Sequence, residues 1–313
     1  MYQSYRVQFE RGYCMNSQDF KTILRGFSVT TATPFNKDLS QIDMDGLARN
    51  IEFLAKHRVP LIIPNGNTGE FYSLSESEWY EVLKTAVEVS GQKMTVMSGI
   101  GHSTKTAISQ IEMARDLGIP AVMVMYPQHV FASEEGVLDY YRALLDESKG
   151  MNVVLYKKGP LLSDTVLTKL FEYDNLVGVK YAFGRIVDFS QTVQNLGQKI
   201  VWSCGTAERF APFFWLAGAR AFTSGLGNFA PDITRQMFDA LKNNDYVTAM
   251  KIQEKISPLE FLREGHGAAN NVPVVKAAMD HVGLVGGLCR PPIHKLSESE
   301  CKLVINAIQD WFP

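Results

Sequence analysis

Eight short apolar runs, each followed by a longer polar-apolar stretch, constrain this chain more than any other feature. The runs span residues 28–34, 61–65, 94–99, 121–126, 152–156, 176–180, 200–204 and 221–224. They are rich in β-branched residues and read as parallel strands buried on both faces. The stretches between them carry helical spacing. Residues 43–57 place Leu47, Ile51 and Leu54 on one stripe. Residues 75–89 open with Ser75 and carry Glu78 three positions later, a capping-box pattern. Residues 104–117 and 134–146 fit the same template.

Strand and helix alternating eight times imply a closed (β/α)8 barrel, an α/β fold. After residue 231 the pattern is helical only, over 232–242, 246–261, 272–281 and 297–311. The expected organisation is therefore an N-terminal extension over 1–21, a barrel over 22–231 and a C-terminal helical extension over 232–313. Residues 1–21 are polar and lack the apolar core of a secretory signal; Met15 is a plausible alternative start.

Composition narrows the function. A net charge of −2 leaves no electrostatic footprint for nucleic acid. No apolar run reaches the roughly 18 residues that span a bilayer. Cys14, Cys204, Cys289 and Cys301 form no CxxC pair, so neither a disulfide framework nor a zinc site is expected. A reduced, cytoplasmic enzyme without a metal or other cofactor is the expectation.

In such barrels chemistry sits at the carboxyl ends of the strands. Three expected strands end in reactive or ligand-shaped groups: the turn Gly66-Asn67-Thr68-Gly69-Glu70, Tyr156, and Lys180. A lysine projecting into the barrel mouth is desolvated, its pKa falls, and its neutral amine attacks a carbonyl to give an iminium. From spacing alone, a lysine snorkelling to the surface is the more economical reading. Tyr156 fits a proton shuttle or a plain rim aromatic. The glycine turn fits a carboxylate held by backbone N–H groups and the Thr68 hydroxyl, or a tight connection without a ligand. Glu70 reads as a structural cap under the site. His129, just past the fourth strand, falls at the barrel mouth; the other histidines show no ligand spacing. Lys157 and Lys158 are solvated or bind an acidic substrate group.

The order Thr31-Ala32-Thr33-Pro34-Phe35, Gly66-Asn67-Thr68-Gly69-Glu70-Phe71, Tyr156, then Gly178-Val179-Lys180 resembles the dihydrodipicolinate synthase / N-acetylneuraminate lyase family over about residues 25–312. The resemblance implies a class I aldolase or dehydratase. Lys180 would be its Schiff-base lysine and Tyr156 its catalytic tyrosine. Asn67 and Thr68 would bind the carboxylate of a small 2-keto acid, with Gly225 and His129 also lining the pocket. It also implies a homo-oligomer, tetramer or dimer, with no metal. Where dihydrodipicolinate synthases carry an arginine five residues after the tyrosine, this chain has Leu161, and Asn67 replaces the first of two threonines. The run Thr68-Gly69-Glu70-Phe71-Tyr72-Ser73-Leu74, with Asn228-Phe229-Ala230-Pro231 and Arg290-Pro291-Pro292, looks like the 5-dehydro-4-deoxyglucarate dehydratase members. There, glycine normally stands at position 67 and asparagine at position 157. Three functions follow as expectations: such a dehydratase, a condensing enzyme or pyruvate-dependent aldolase, and a keto-acid binder without turnover.

Overall fold

The computed structural model describes residues 15–312. The eight strands are β1 Phe27–Val29, β2 Leu61–Ile62, β3 Thr95–Ile100, β4 Ala121–Val124, β5 Asn152–Lys157, β6 Leu176–Tyr181, β7 Val201–Cys204 and β8 Ala221–Ser224. They pair parallel in sequence order, and β8 bonds back to β1, closing the barrel. The strand residues are nearly all buried, because the barrel packs side chains inside and helices outside.

Three strands, β1, β2 and β4, stop short of their expected ends. Beyond Val29, the Thr30 and Thr31 N–H groups still reach the Ser224 and Ile63 carbonyls, but the Asn228 side chain then takes over: Ala32 N–H donates to Asn228 Oδ1 at 3.0 Å, and Asn228 Nδ2 donates to the Thr30 carbonyl at 2.9 Å. After β2, Asn65 turns left-handed at φ 59° and ends the strand. β5 instead runs one residue further than expected, through Lys157.

Helix α1 (Ser17–Leu24) precedes the barrel, so the N-terminal extension expected over 1–21 is partly helical. The Asn16 side chain accepts from Asp19 N–H, and Phe20 and Leu24 are buried. The helix packs against β6, where a Cβ on Gly178 would lie 2.7 Å from Leu24 Cδ2. Residues 1–14 of that extension, Cys14 among them, lie outside the described residues.

The outer helices are α2 Met44–Lys56, α3 Glu76–Ser90, α4 Thr104–Asp116, α5 Glu134–Glu147, α6 Asp164–Leu170, α7 Ile186–Leu196, α8 Ala211–Leu216 and α9 Pro231–Lys242. Most begin at a Ser or Asp N-cap. At α3 both halves of the capping box form: Glu78 N–H donates to Ser75 Oγ at 3.2 Å, and Ser75 N–H donates to Glu78 Oε2 at 2.9 Å.

Helix α9 packs on β1, with the Phe238 ring 6.1 Å from Phe27 and Arg235 over the same ring at 5.3 Å. It is thus the eighth barrel helix rather than part of the extension. The extension starts at α10 (Tyr246–Arg263), followed by the kinked turn α11 (Gly265–Ala268), α12 (Asn271–His281) and α13 (Glu298–Ile308). The expected break at 231 misses this, because helical periodicity shows that a helix forms but not which surface it covers.

The C-terminal helices are tied to the barrel mouth. Lys276, on α12, pairs with Glu70 on the strand-two loop; both side chains are buried. Glu70 also accepts from Arg290 N–H at 2.9 Å, which makes it the structural cap the sequence suggested. Arg290 forks onto Glu78 at 2.8 and 2.6 Å. Arg209 pairs with Glu264 and stacks on Phe261 at 4.5 Å, holding the end of α10 over the mouth. No helix among the described residues is long and apolar enough to cross a membrane.

Candidate active site

A cavity of about 480 Å³ opens at the carboxyl ends of the strands, within the roughly 300–1,000 Å³ of small-molecule sites. Lys180 and Tyr156 sit opposite each other on paired strands β6 and β5, both facing inward. Lys180 Nζ lies 4.5 Å from the centroid of the Tyr156 ring, and the side chain is 5% exposed. Among the described residues, no carboxylate pairs with it. Burial pushes its pKa down from 10.5 to about 7, and the positive charges of Lys158 and Arg263 push the same way, with Cys204 opposing. Near neutral pH, much of this amine is therefore unprotonated.

The Tyr156 hydroxyl accepts a hydrogen bond from Asn67 Nδ2 at 3.1 Å. Burial raises its pKa well above the ordinary phenol value, so it holds its proton and can donate it. Asn67 and Thr68 both line the cavity. Their turn is pressed against the continuation of β1: a Cβ on Gly66 would lie 2.5 Å from Thr30 Cγ2, and one on Gly69 2.8 Å from the Thr31 carbonyl oxygen. The N–H groups of Thr68 and Gly69 donate to nothing among the described residues, which suits a ligand carboxylate.

Gly225 lines the cavity after β8, as expected. His129 does not. It is exposed on the loop after β4, and its Nδ1 accepts from Phe131 N–H of the same loop at 3.1 Å. A position just past a strand end fixes where a loop begins, not which way it turns. Lys157 also misses the cavity. Because β5 extends through it, strand alternation sends its side chain outward. There it donates to the Leu162 carbonyl and lies over the Tyr181 ring at 5.4 Å. The cavity takes Lys158 instead, whose pKa desolvation lowers.

Several lining groups escaped the sequence reading. Arg263 and Glu260 come from α10 and Asn271 from α12; Thr206 lies just past β7 and Ser224 ends β8. Ser224 Oγ donates to buried Glu208, which Thr234 Oγ1 also contacts at 2.8 Å. Burial, with Glu260 nearby, raises Glu208 to about 7. Gly225 was the one local signal for Arg263. A Cβ there would lie 2.5 Å from Arg263 Nη2. Among the described residues, no cluster of His, Cys, Asp and Glu could hold a metal ion.

An eight-stranded barrel with a desolvated strand-six amine beside a phenol and a glycine turn has the design of a class I aldolase-type lyase. The chain belongs to the dihydrodipicolinate synthetase family, whose match covers residues 23–310. It is 30% identical over 297 residues to the probable 5-dehydro-4-deoxyglucarate dehydratase of Bacillus subtilis (strain 168), covering 92% of this chain and 94% of that one. It is 33% identical over 283 residues to the 4-hydroxy-tetrahydrodipicolinate synthase of Methanosarcina barkeri, covering 88% and 94%. The crystal structure of dihydrodipicolinate synthase from Bacillus clausii superposes with a TM-score of 0.90 at 37% identity, covering 93% of this chain and 99% of that one. The chain is a lyase, of a family that acts on small keto acids.

Proposed function

We propose that Lys180 forms a Schiff base with a 2-keto acid, and that the chain is a sugar-acid dehydratase of the 5-dehydro-4-deoxyglucarate type. The observation that carries this reading is the buried amine at 4.5 Å from the Tyr156 ring, with no carboxylate to keep it charged. The keto-acid carboxylate rests on the Thr68 and Gly69 N–H groups and the Thr68 hydroxyl. The neutral amine attacks C2. Tyr156 donates a proton to the carbinolamine oxygen, which leaves as water, and an iminium remains.

The iminium acidifies C3. Loss of the C3 proton gives an enamine, whose electron pair expels the C4 hydroxyl as water. For the six-carbon diacid, the conjugated iminium then takes up the electron pair released when the distal carboxylate leaves as carbon dioxide. The resulting dienamine takes up a proton at C4, which turns the C5 enol into an aldehyde, and one at C3, which restores the iminium; hydrolysis then frees Lys180 and 2-oxoglutarate semialdehyde. Asn67, bonded to the phenol, holds Tyr156 on the reacting side.

A second reading, condensation or aldol cleavage with pyruvate, has the support of the relatives named as synthases. The same enamine would serve it. Leu161 weighs against dihydrodipicolinate synthesis, since its place after Tyr156 offers no charge to a second substrate and lies off the cavity. The protein is proposed to work as a cytoplasmic homo-oligomer, a dimer or tetramer. Mass spectrometry after borohydride reduction with pyruvate should show one adduct, on Lys180. A panel scoring 2-oxoglutarate semialdehyde against pyruvate release should favour the semialdehyde. Absence of any Lys180 adduct with every keto acid tried would leave a binder without turnover.

A further inference from the structure

The wall of the cavity farthest along the chain from Lys180 is built by the C-terminal helices, and its chief polar group is Arg263. This guanidinium is 4% exposed. Nη1 donates to Glu260 Oε1 at 2.6 Å, and Nη2 donates to Asn271 Oδ1 at 3.1 Å. A guanidinium has five N–H donors. Two are used here, and Nε is buried with no partner among the described residues. The Nη hydrogens left over from these two bonds are the donors that this cavity-lining guanidinium can offer a ligand.

The backbone around Arg263 is shaped to admit it into the cavity wall. Gly225 lacks the Cβ that would collide with Nη2. Above it, the α11 turn holds His266, Gly267 and Ala268 in succession at φ 54°, 65° and 71°, and Gly267 and Ala268 line the same cavity. Backbone strain of this kind persists at ligand clamps when surrounding structure enforces it. Glu260 supplies a counter-charge at one Nη, which keeps the guanidinium oriented while leaving its remaining donors free. Lys158 adds a second cation on the cavity wall and has no ion-pair partner among the described residues.

We infer that Arg263 is a specificity-determining residue that binds a second carboxylate at the far end of the keto acid, so that the site selects dicarboxylate over monocarboxylate substrates. This rests on the Schiff-base reading of Lys180 and adds to it the group that reads the distal end. A planar guanidinium is the side chain best matched to a carboxylate, and fixing that end places C2 against Lys180.

The test uses two six-carbon ligands that differ only at the far end: 2-oxoadipate, with a carboxylate, and 2-oxohexanoate, with a methyl group. Borohydride trapping on Lys180 gives a half-saturating concentration for each. The unmodified chain should favour 2-oxoadipate by about 10–100-fold, the range for a charge-assisted hydrogen-bonded contact. In Arg263→Gln that ratio should fall towards one, and Arg263→Lys should recover part of it. Should Arg263→Gln fail to fold because Glu260 is stranded, the double variant Glu260→Gln/Arg263→Gln replaces it. A ratio near one in the unmodified chain overturns the inference without any variant. So does a preference that survives Arg263→Gln and disappears in Lys158→Gln. If pyruvate itself leaves no adduct on Lys180, the Schiff-base reading has failed; adduct formation without dicarboxylate preference sinks this inference alone.

Discussion

Replacing Lys180 by Met should stabilise the protein, and the gain should shrink as pH rises. The amine titrates near pH 7 in the folded chain and near 10.5 when exposed, because the cavity strips its water and Lys158 and Arg263 add positive charge. Each pKa unit is worth about 1.4 kcal/mol, so confining the ammonium costs on the order of 5 kcal/mol. Below pH 7 the lysine is protonated in both states, and the full cost is present. Between pH 7 and 10.5 the unfolded chain keeps a proton that the folded chain has released, so wild-type stability climbs with pH. At pH 9 the remaining cost is about 2 kcal/mol by the same reckoning. Methionine keeps the apolar stem and carries no charge. Urea unfolding of both proteins at pH 6 and pH 9 measures the difference. Equal differences at the two pH values, or a variant less stable at pH 6, would refute a desolvated amine at this position.

Other changes probe the neighbours. Tyr156→Phe removes the proton donor while keeping the ring beside Lys180; imine trapping at pH 7 should slow by about 10²–10⁴-fold, and a loss under threefold would remove Tyr156 from the chemistry. Lys276→Met strands the buried Glu70 carboxylate and should cost about 3–5 kcal/mol in urea unfolding, with Glu70→Gln/Lys276→Met recovering part of it. A single-variant loss below about 1 kcal/mol would mean that the pair does not clamp the strand-two loop.

The positions of Lys180 and Tyr156 were legible early, since each closes an apolar run, but only the family resemblance turned the pair from a snorkelling lysine and a rim aromatic toward chemistry. Neighbouring parallel strands in register put such residues at one height. The Gly66–Gly69 turn was legible for a similar reason, because glycine there answers a close approach by β1. Lys157 and Lys158 show where reading by adjacency fails. The sequence left both open to solvent or to an acidic group; with Tyr156 facing inward, strand alternation sends Lys157 outward and Lys158 reaches the cavity. His129 was misplaced because its loop's path depends on contacts with no local signature.

The chain's own pattern determined the barrel, its strand order and the placing of Lys180 and Tyr156 at strand ends, because alternation and strand polarity are local properties repeated eight times. Tertiary structure alone decided the far wall of the site. Arg263 lies two residues past the helix end read from the sequence, in the last turn of α10, and it becomes part of a cavity when α10 is carried across the barrel mouth, pinned there by Arg209 and admitted by Gly225. The charge around Lys180, and so the state of its amine at neutral pH, is likewise a sum over segments distant in sequence, and it exists only once they are packed together.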